Sequence, residues 1–400
     1  MTETGAERQA GILPAIGRFA RITLAAAALM VAGCQSIVPK GTQPGTTGPV
    51  RPTQPGVEQG LPTDTQRHRV ALLVPMSGGN AGVGTSIANA TTLALLDTKA
   101  SNVRITTYDT AMGAAAAANK AIAEGNKLIL GPLMADDARI VGPLARRAGV
   151  PVISFSNDTS VAGNGTYLMG YNPSQSIERV VTFARAKGMT NFAALTPKGA
   201  YGERSGTAML RAVERSGGTV VAMQAYDRAP GAITAAIGKL PAKPYDAILI
   251  ADGGRVALQA APLVRKAPGG ADAQILGTEL WNTESSLAGN PALRGAWFAA
   301  VSDQLYGQLA TKYRARFGTA PFRLSSLGYD AVLLTVRIAR DWKVGAPFPA
   351  ARLSDSGGFA GIDGAFRFAG NGVAERALEV NQVDAGRFSV VDAAPRAFGP

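Results

Sequence analysis

The run Val70-Ala-Leu-Leu-Val74, closed by Pro75 and followed by Gly78, Gly79, Gly82 and Gly84, sets the fold class by itself. A strand without polar alternation must be covered on both faces, which is the condition of a parallel sheet flanked by helices. The unit recurs. A helical stretch from Ser86 to Leu96 is followed by strand 103–108, helix 112–124, strand 127–131, helix 136–148 and strand 150–154. After Gly170-Tyr-Asn-Pro173 a helix near 175–187 opens a second series: strands 191–196, 219–226, 246–251 and 274–277 alternate with helices 202–216, 231–239 and 254–267. Strand 296–301, helices 303–317 and 324–342, and strands near 362–369, 376–384 and 387–392 complete the chain. The expected architecture is α/β, two doubly wound parallel-sheet lobes with a cleft between them. Lobe 1 is expected to take about 69–172 plus 320–400, and lobe 2 about 173–319.

The first 33 residues have another character. Arg18 and Arg21 precede an Ala-rich apolar stretch, Ile22 to Gly33, too short for a membrane span. It ends in Leu29-Met-Val-Ala-Gly-Cys34, which resembles the bacterial lipobox, so residues 1–33 are expected to be a lipoprotein signal peptide and Cys34 the lipidated mature end. Cys34 is the only cysteine, so no internal disulfide or multi-cysteine metal site is possible. Residues 35–66, rich in Pro, Gly, Thr, Gln and Val, cannot bury enough apolar surface to fold. They are expected to tether the module, 67–400, about 30 Å from a membrane.

Composition removes several functions. The net charge of +12 is scattered, with no basic stripe interleaved with aromatics, so nucleic acid is not an expected partner. The one histidine, His68, stands at the end of the tether and is expected to be solvent-exposed, which leaves no Ser-His-Asp base and no multi-histidine metal site. The loop Gly79-Asn-Ala-Gly-Val-Gly84-Thr-Ser has Thr85 where a phosphate loop carries lysine. Neither an enzyme nor a cofactor is expected.

Ordered blocks then resemble a known family. Val-Ala-Leu-Leu-Val-Pro-Met-Ser-Gly (70–78), Thr-Tyr-Asp-Thr (107–110), Leu-Ile-Leu-Gly-Pro-Leu (128–133), Ala-Gly-Val-Pro-Val-Ile-Ser (148–154), Ala-Tyr-Gly-Glu (200–203) and Ile-Leu-Gly-Thr-Glu (275–279) are similar in order and spacing to type I periplasmic binding proteins of the leucine/isoleucine/valine-binding kind. The resemblance implies ligand-contacting positions at Ser77, Gly78, Met134, Ala135, Ser154, Ser156, Asp158, Tyr201, Asp252 and Glu279, with Tyr201 covering a ligand and Glu279 pairing with an ammonium. It implies a small polar ligand such as an amino acid, delivered to an inner-membrane ABC-type transporter. The chain departs from the family pattern at Asp136, Asp137 and Asp158, three carboxylates expected near the ligand's own carboxylate; Asp136 and Asp137 are also placed to cap helix 136–148. Segments 322–331 and 357–364 resemble lipoproteins described as penicillin-binding protein activators, which implies the alternative of contacting and stimulating a peptidoglycan synthase. Gln35 after the cysteine resembles the pattern routed to the outer membrane.

Overall fold

The computed structural model describes residues 66–396 and 398; the expected signal peptide, the lipidated Cys34 and the tether through 65 lie outside the described residues. In lobe 1, β1 (His68–Val74), β2 (Val103–Asp109), β3 (Leu128–Leu130), β4 (Val152–Ser154) and β5 (Thr166–Leu168) form a parallel sheet in the order β2-β1-β3-β4-β5. Helix α1 (Ala81–Thr98) covers one face, and α2 (Ala114–Ala123) and α3 (Ala135–Arg147) the other. The apolar run sits as its composition demands: Val70, Ala71, Leu72, Leu73 and Val74 are all fully buried. Residues alternate between two hydrophobic cores, Leu72 facing α1 and Leu73 facing α2 and α3.

Lobe 2 starts with α4 (Pro173–Ala186) and β6 (Asn191–Pro197), continues through α5 (Ala200–Arg215), β7 (Thr219–Tyr226), α6 (Ala232–Ile237), β8 (Ala247–Ile250), α7 (Gly254–Lys266) and β9 (Gln274–Gly277), and reaches β10 (Trp297–Ala300). The chain returns to lobe 1 with α8 (Gln304–Phe317) and α9 (Ser325–Ala339), which pack on α1. A small antiparallel sheet follows, β11 (Phe359–Gly361), β12 (Gly364–Phe368) and β13 (Ala374–Arg376), its Phe359, Phe366 and Phe368 closing the lobe 1 core. The final hairpin, β14 (Glu379–Asp384) and β15 (Arg387–Asp392), adds to the other sheet, whose order is β15-β14-β10-β9-β8-β6-β7.

Two expectations about lobe membership are therefore corrected. Helix α8 belongs with lobe 1, because Leu309 and Tyr313 bury against Ala90, Leu93 and Tyr329. The terminal strands do not all return to lobe 1: β14 pairs antiparallel with β10, Phe298 opposite Asn381. His68 is a third correction. It is 2% exposed and stacks on Trp342 with ring centroids 3.8 Å apart, because α9 carries Trp342 back over the start of β1.

Both lobes bring a helix amino terminus hard against the end of their first strand. A Cβ on Gly84 would lie 1.8 Å from the Pro75 carbonyl oxygen, and one on Gly202 would lie 1.6 Å from that of Pro197. Only glycine allows that approach. The chain crosses between lobes at Met169–Asn172, Val301–Gln304 and Ala377–Leu378. Gln175 ties the first crossing to the last, donating to the Ala374 carbonyl at 2.6 Å and accepting from the Arg376 amide at 3.0 Å.

Candidate functional site

The lobes enclose a cavity of about 560 Å3 at the carboxyl ends of β4, β9 and β10, where open parallel sheets bind ligands. Lobe 1 supplies Val83, Leu133, Met134, Ala135, Phe155 and Ser156, and lobe 2 supplies Ser176, Glu279, Leu280 and Ala300. The crossings and the start of α9 supply Tyr171, Gln175, Val301, Arg323, Arg376 and Leu378. Apolar walls with a few polar groups are the usual make-up of a small-molecule site.

Glu279 follows β9 and turns its carboxyl inward. The Tyr201 hydroxyl donates to its Oε1 at 3.2 Å and lies 3.0 Å from Thr278 Oγ1. Neighbouring Ser176 donates instead to the Ala299 carbonyl at 2.6 Å, and the buried Oε2 has no hydrogen-bond donor among the described residues. Burial pushes the Glu279 carboxyl up to about 7, with its own backbone amide and then the Tyr201 hydroxyl pulling the other way. Tyr201 thus supports Glu279 from behind and is absent from the cavity wall.

At the crossing end stands a cluster not anticipated from the sequence. Arg323 Nη1 donates to Asp363 at 2.7 Å, Ser326 at 2.8 Å and Tyr171 at 3.0 Å, while Nε reaches Asp303 at 3.1 Å. Arg376 Nη2 donates to the Met169 carbonyl at 2.7 Å, and its Nη1 lies 4.0 Å from Asp363. Both guanidiniums border the Tyr171 ring, at 5.7 and 5.2 Å from its centroid. Asp363 is fully buried; burial alone would raise its pKa, but Arg323 and Arg376 outweigh it and hold the carboxyl below the usual range. Asp330, also fully buried, accepts from the Ile362 amide at 2.6 Å and is pushed upward by burial and by the charge of Asp363.

The sequence-derived positions divide. Met134, Ala135, Ser156 and Glu279 line the cavity. Ser154 lies one layer behind, donating to the Pro132 carbonyl at 2.8 Å and accepting from the Ser156 amide. Ser77 donates to Asp109 at 2.8 Å and Gly78 starts a turn at φ 71°, both away from the cavity wall. Asp252 lies elsewhere, accepting from Tyr226 at 2.7 Å and Arg228 at 3.2 Å beside a separate cavity of about 340 Å3.

The expected placement of Asp136, Asp137 and Asp158 beside a ligand's carboxylate is corrected. None of them lines the cavity. Asp158 is bound by Arg139 at 2.7 Å and by Arg204 of lobe 2 at 2.8 Å. Although burial raises the Asp158 pKa, the Ser160 donors and Arg204 more than offset this and lower it. Asp136 pairs with Arg139 on the surface. The N-cap of α3 is Met134, so Asp136 and Asp137 occupy the first turn, where they complement the helix dipole, and do not cap it.

Comparison with known proteins agrees with this arrangement. Residues 68–387 match the family model of the periplasmic binding proteins. A putative branched-chain amino acid ABC transporter protein from Rhodospirillum rubrum superposes with a TM-score of 0.72 at 21% identity, covering 81% of this chain and 100% of the other. Full-length LpoA from Haemophilus influenzae gives a TM-score of 0.64 at 19% identity, with 82% of this chain and 59% of that one covered. An uncharacterized protein of Rickettsia prowazekii, RP748, is 25% identical over 170 residues, 42% of this chain, and the match spans under half (46%) of that protein's length. With the family model running from β1 to the final hairpin over two lobes and a ligand-sized cleft, the chain belongs to the periplasmic binding proteins, a non-enzymatic family.

Proposed function

We propose that the protein is a lipid-anchored solute-binding protein of the periplasm, which closes its lobes on a small ligand and presents it to an inner-membrane ABC-type transporter. The observation that carries this reading is the interlobe cavity of about 560 Å3, apolar along both walls and polar at Glu279 and at the arginine cluster. The branched-chain amino acid designation of the Rhodospirillum rubrum protein supports a ligand of that size. The anchor rests on the lipobox-like Leu29-Met-Val-Ala-Gly-Cys34.

Thermal unfolding of the full chain in mild detergent, against amino acids, aromatic acids, short peptides and cell-wall fragments, tests it. A ligand at 100 times its Kd adds about 2.7 kcal/mol, several degrees in Tm. Absence of a shift with every panel member defeats the solute-binding reading. The alternative, stimulation of a peptidoglycan synthase, rests on the resemblance of segments 322–331 and 357–364. It expects no thermal shift and direct binding of a purified synthase.

A further inference from the structure

The amino-terminal segment enters the fold at one end of lobe 1, and that end is basic. The entry point is His68, the first residue of β1, whose ring stacks on Trp342 and whose amide donates to the Asn102 carbonyl at 2.7 Å. Asn102 Nδ2 donates in turn to the Ala339 carbonyl at 3.2 Å, so the loop after α1 and the end of α9 both close around the entry. The strands of this parallel sheet all start at the same edge, and the helices that connect them end there.

Lys99, Lys120, Arg146, Arg147, Arg340 and Lys343 stand exposed at these helix ends, with no ion pair among the described residues. The nearby carboxylates are engaged: Asp97 by Lys312 at 2.8 Å, Asp341 by Arg352 at 3.2 Å and Glu124 by the Tyr108 hydroxyl at 2.6 Å. Cations at helix carboxyl ends complement the dipoles, but that does not account for the apolar side chains exposed among them. Leu96 is 49% exposed in the last turn of α1, and Val344 is 43% exposed in a turn that the Ala346 amide closes on the Lys343 carbonyl. Basic heads around exposed apolar side chains suit a bilayer interface, where phosphates meet the cations and the acyl boundary meets the apolar tips. Position favours a bilayer over other polyanions. Residues 35–65 separate this end from Cys34 and give a coil reach of about 30 Å, so a lipid on Cys34 holds this end of the module within reach of the membrane.

We infer that the end of lobe 1 around His68 is a membrane-facing surface that sets its cations against anionic phospholipid headgroups, with Leu96 and Val344 at the interface. The cleft, at the carboxyl ends of the same sheet, then lies on the far side of lobe 1 from the anchoring membrane. This inference rests on the lipid anchor of the reading above and adds how the module sits on its membrane.

Cys34 is the only cysteine, and the lipid occupies its thiol in the anchored protein, so an introduced cysteine can be labelled alone. The full-chain lipoprotein carries a fluorophore at Ser101→Cys, exposed in the loop after α1, or at Ala271→Cys, exposed beside the start of β9 in lobe 2. Each is reconstituted into phosphatidylcholine vesicles with or without phosphatidylglycerol, and energy transfer to a headgroup dye is read. Transfer from position 101 is expected to rise with phosphatidylglycerol, while transfer from position 271 stays low. Each basic residue near an anionic surface is worth about fivefold in partitioning. The triple change Lys99→Glu, Arg340→Glu and Lys343→Glu should therefore lower the docked-to-undocked ratio at least about 100-fold. Salt near ~1 M, which shortens the screening length to about 3 Å, should release the unaltered chain in the same way and decides the matter if the triple variant fails to fold. Transfer from position 101 that ignores phosphatidylglycerol, or that survives both the triple change and high salt, overturns the membrane face and leaves the anchor standing. An equal rise at position 271 marks a general attraction of a basic protein and overturns it too. A chain that stays on neither kind of vesicle overturns the anchor as well.

Discussion

Replacing Glu279 by glutamine tests whether the cavity wall holds a carboxyl that prefers to be neutral. Its buried Oε2 has no donor among the described residues, and burial moves its titration from 4.5 to about 7. The folded protein then holds this proton more firmly than the unfolded chain does. Stability is fully present below about 4.5 and declines as pH rises through 7, at about 1.4 kcal/mol per pH unit. Between pH 5 and pH 8 the loss assigned to Glu279 is on the order of 2–3 kcal/mol. The glutamine amide is neutral throughout and matches the protonated carboxyl in shape, so Glu279→Gln should gain roughly that much over the wild type from pH 5 to pH 8. Asp330 adds a slope of the same sign, but equally in both proteins, so the difference isolates Glu279. Urea denaturation of ligand-free protein at pH 5, 6, 7 and 8, with m-values compared, measures it. Parallel pH curves for the two proteins would refute the reasoning.

Three other perturbations probe the frame of the site. Asp158→Asn removes the ion pair that joins the lobes through Arg204, which is about a third exposed; a contribution near ~1 kcal/mol predicts roughly fivefold weaker ligand binding, and an unchanged Kd would show that the pair does not favour closure. Gly202→Ala places a Cβ 1.6 Å from the Pro197 carbonyl oxygen, so the start of α5 must move, and a loss of more than about 2 kcal/mol is expected in chemical denaturation. Trp342→Ala strips the ring stacked on His68 and packed edge-on against Phe348; a loss of about 3–5 kcal/mol is expected, together with a His68 imidazole that NMR titration finds moved back up toward 6.5.

The repeating strands and helices were legible because an apolar run such as Val70–Val74 admits one environment, a sheet covered on both faces. The family itself was legible from ordered blocks, and the fold agrees. The partner of an antiparallel edge strand is not written in its alternation: β13 and β14 are separated by Ala377 and Leu378 alone, yet they serve different sheets. Short β5 and β11 were passed over because three residues give too little pattern to read. In the site, Met134, Ala135, Ser156 and Glu279 followed from the blocks around the strand ends. Arg323 and Arg376 did not, because their meaning lies in contacts across the chain. Arg323 meets Asp363 forty residues away and Arg376 meets Met169 across 207 residues. The signals were present, in Phe322-Arg-Leu-Ser-Ser and Gly170-Tyr-Asn-Pro, but those segments served only as a family likeness and a boundary. His68 was misread for the same reason, since nothing local announces Trp342.

The cleft between the lobes is proposed to hold a small ligand. A crystal structure of the protein grown with the panel member that gives the largest thermal shift tests it most directly. The ligand is expected inside the cavity between Phe155 and Leu378. A ligand seated outside that cavity would contradict it.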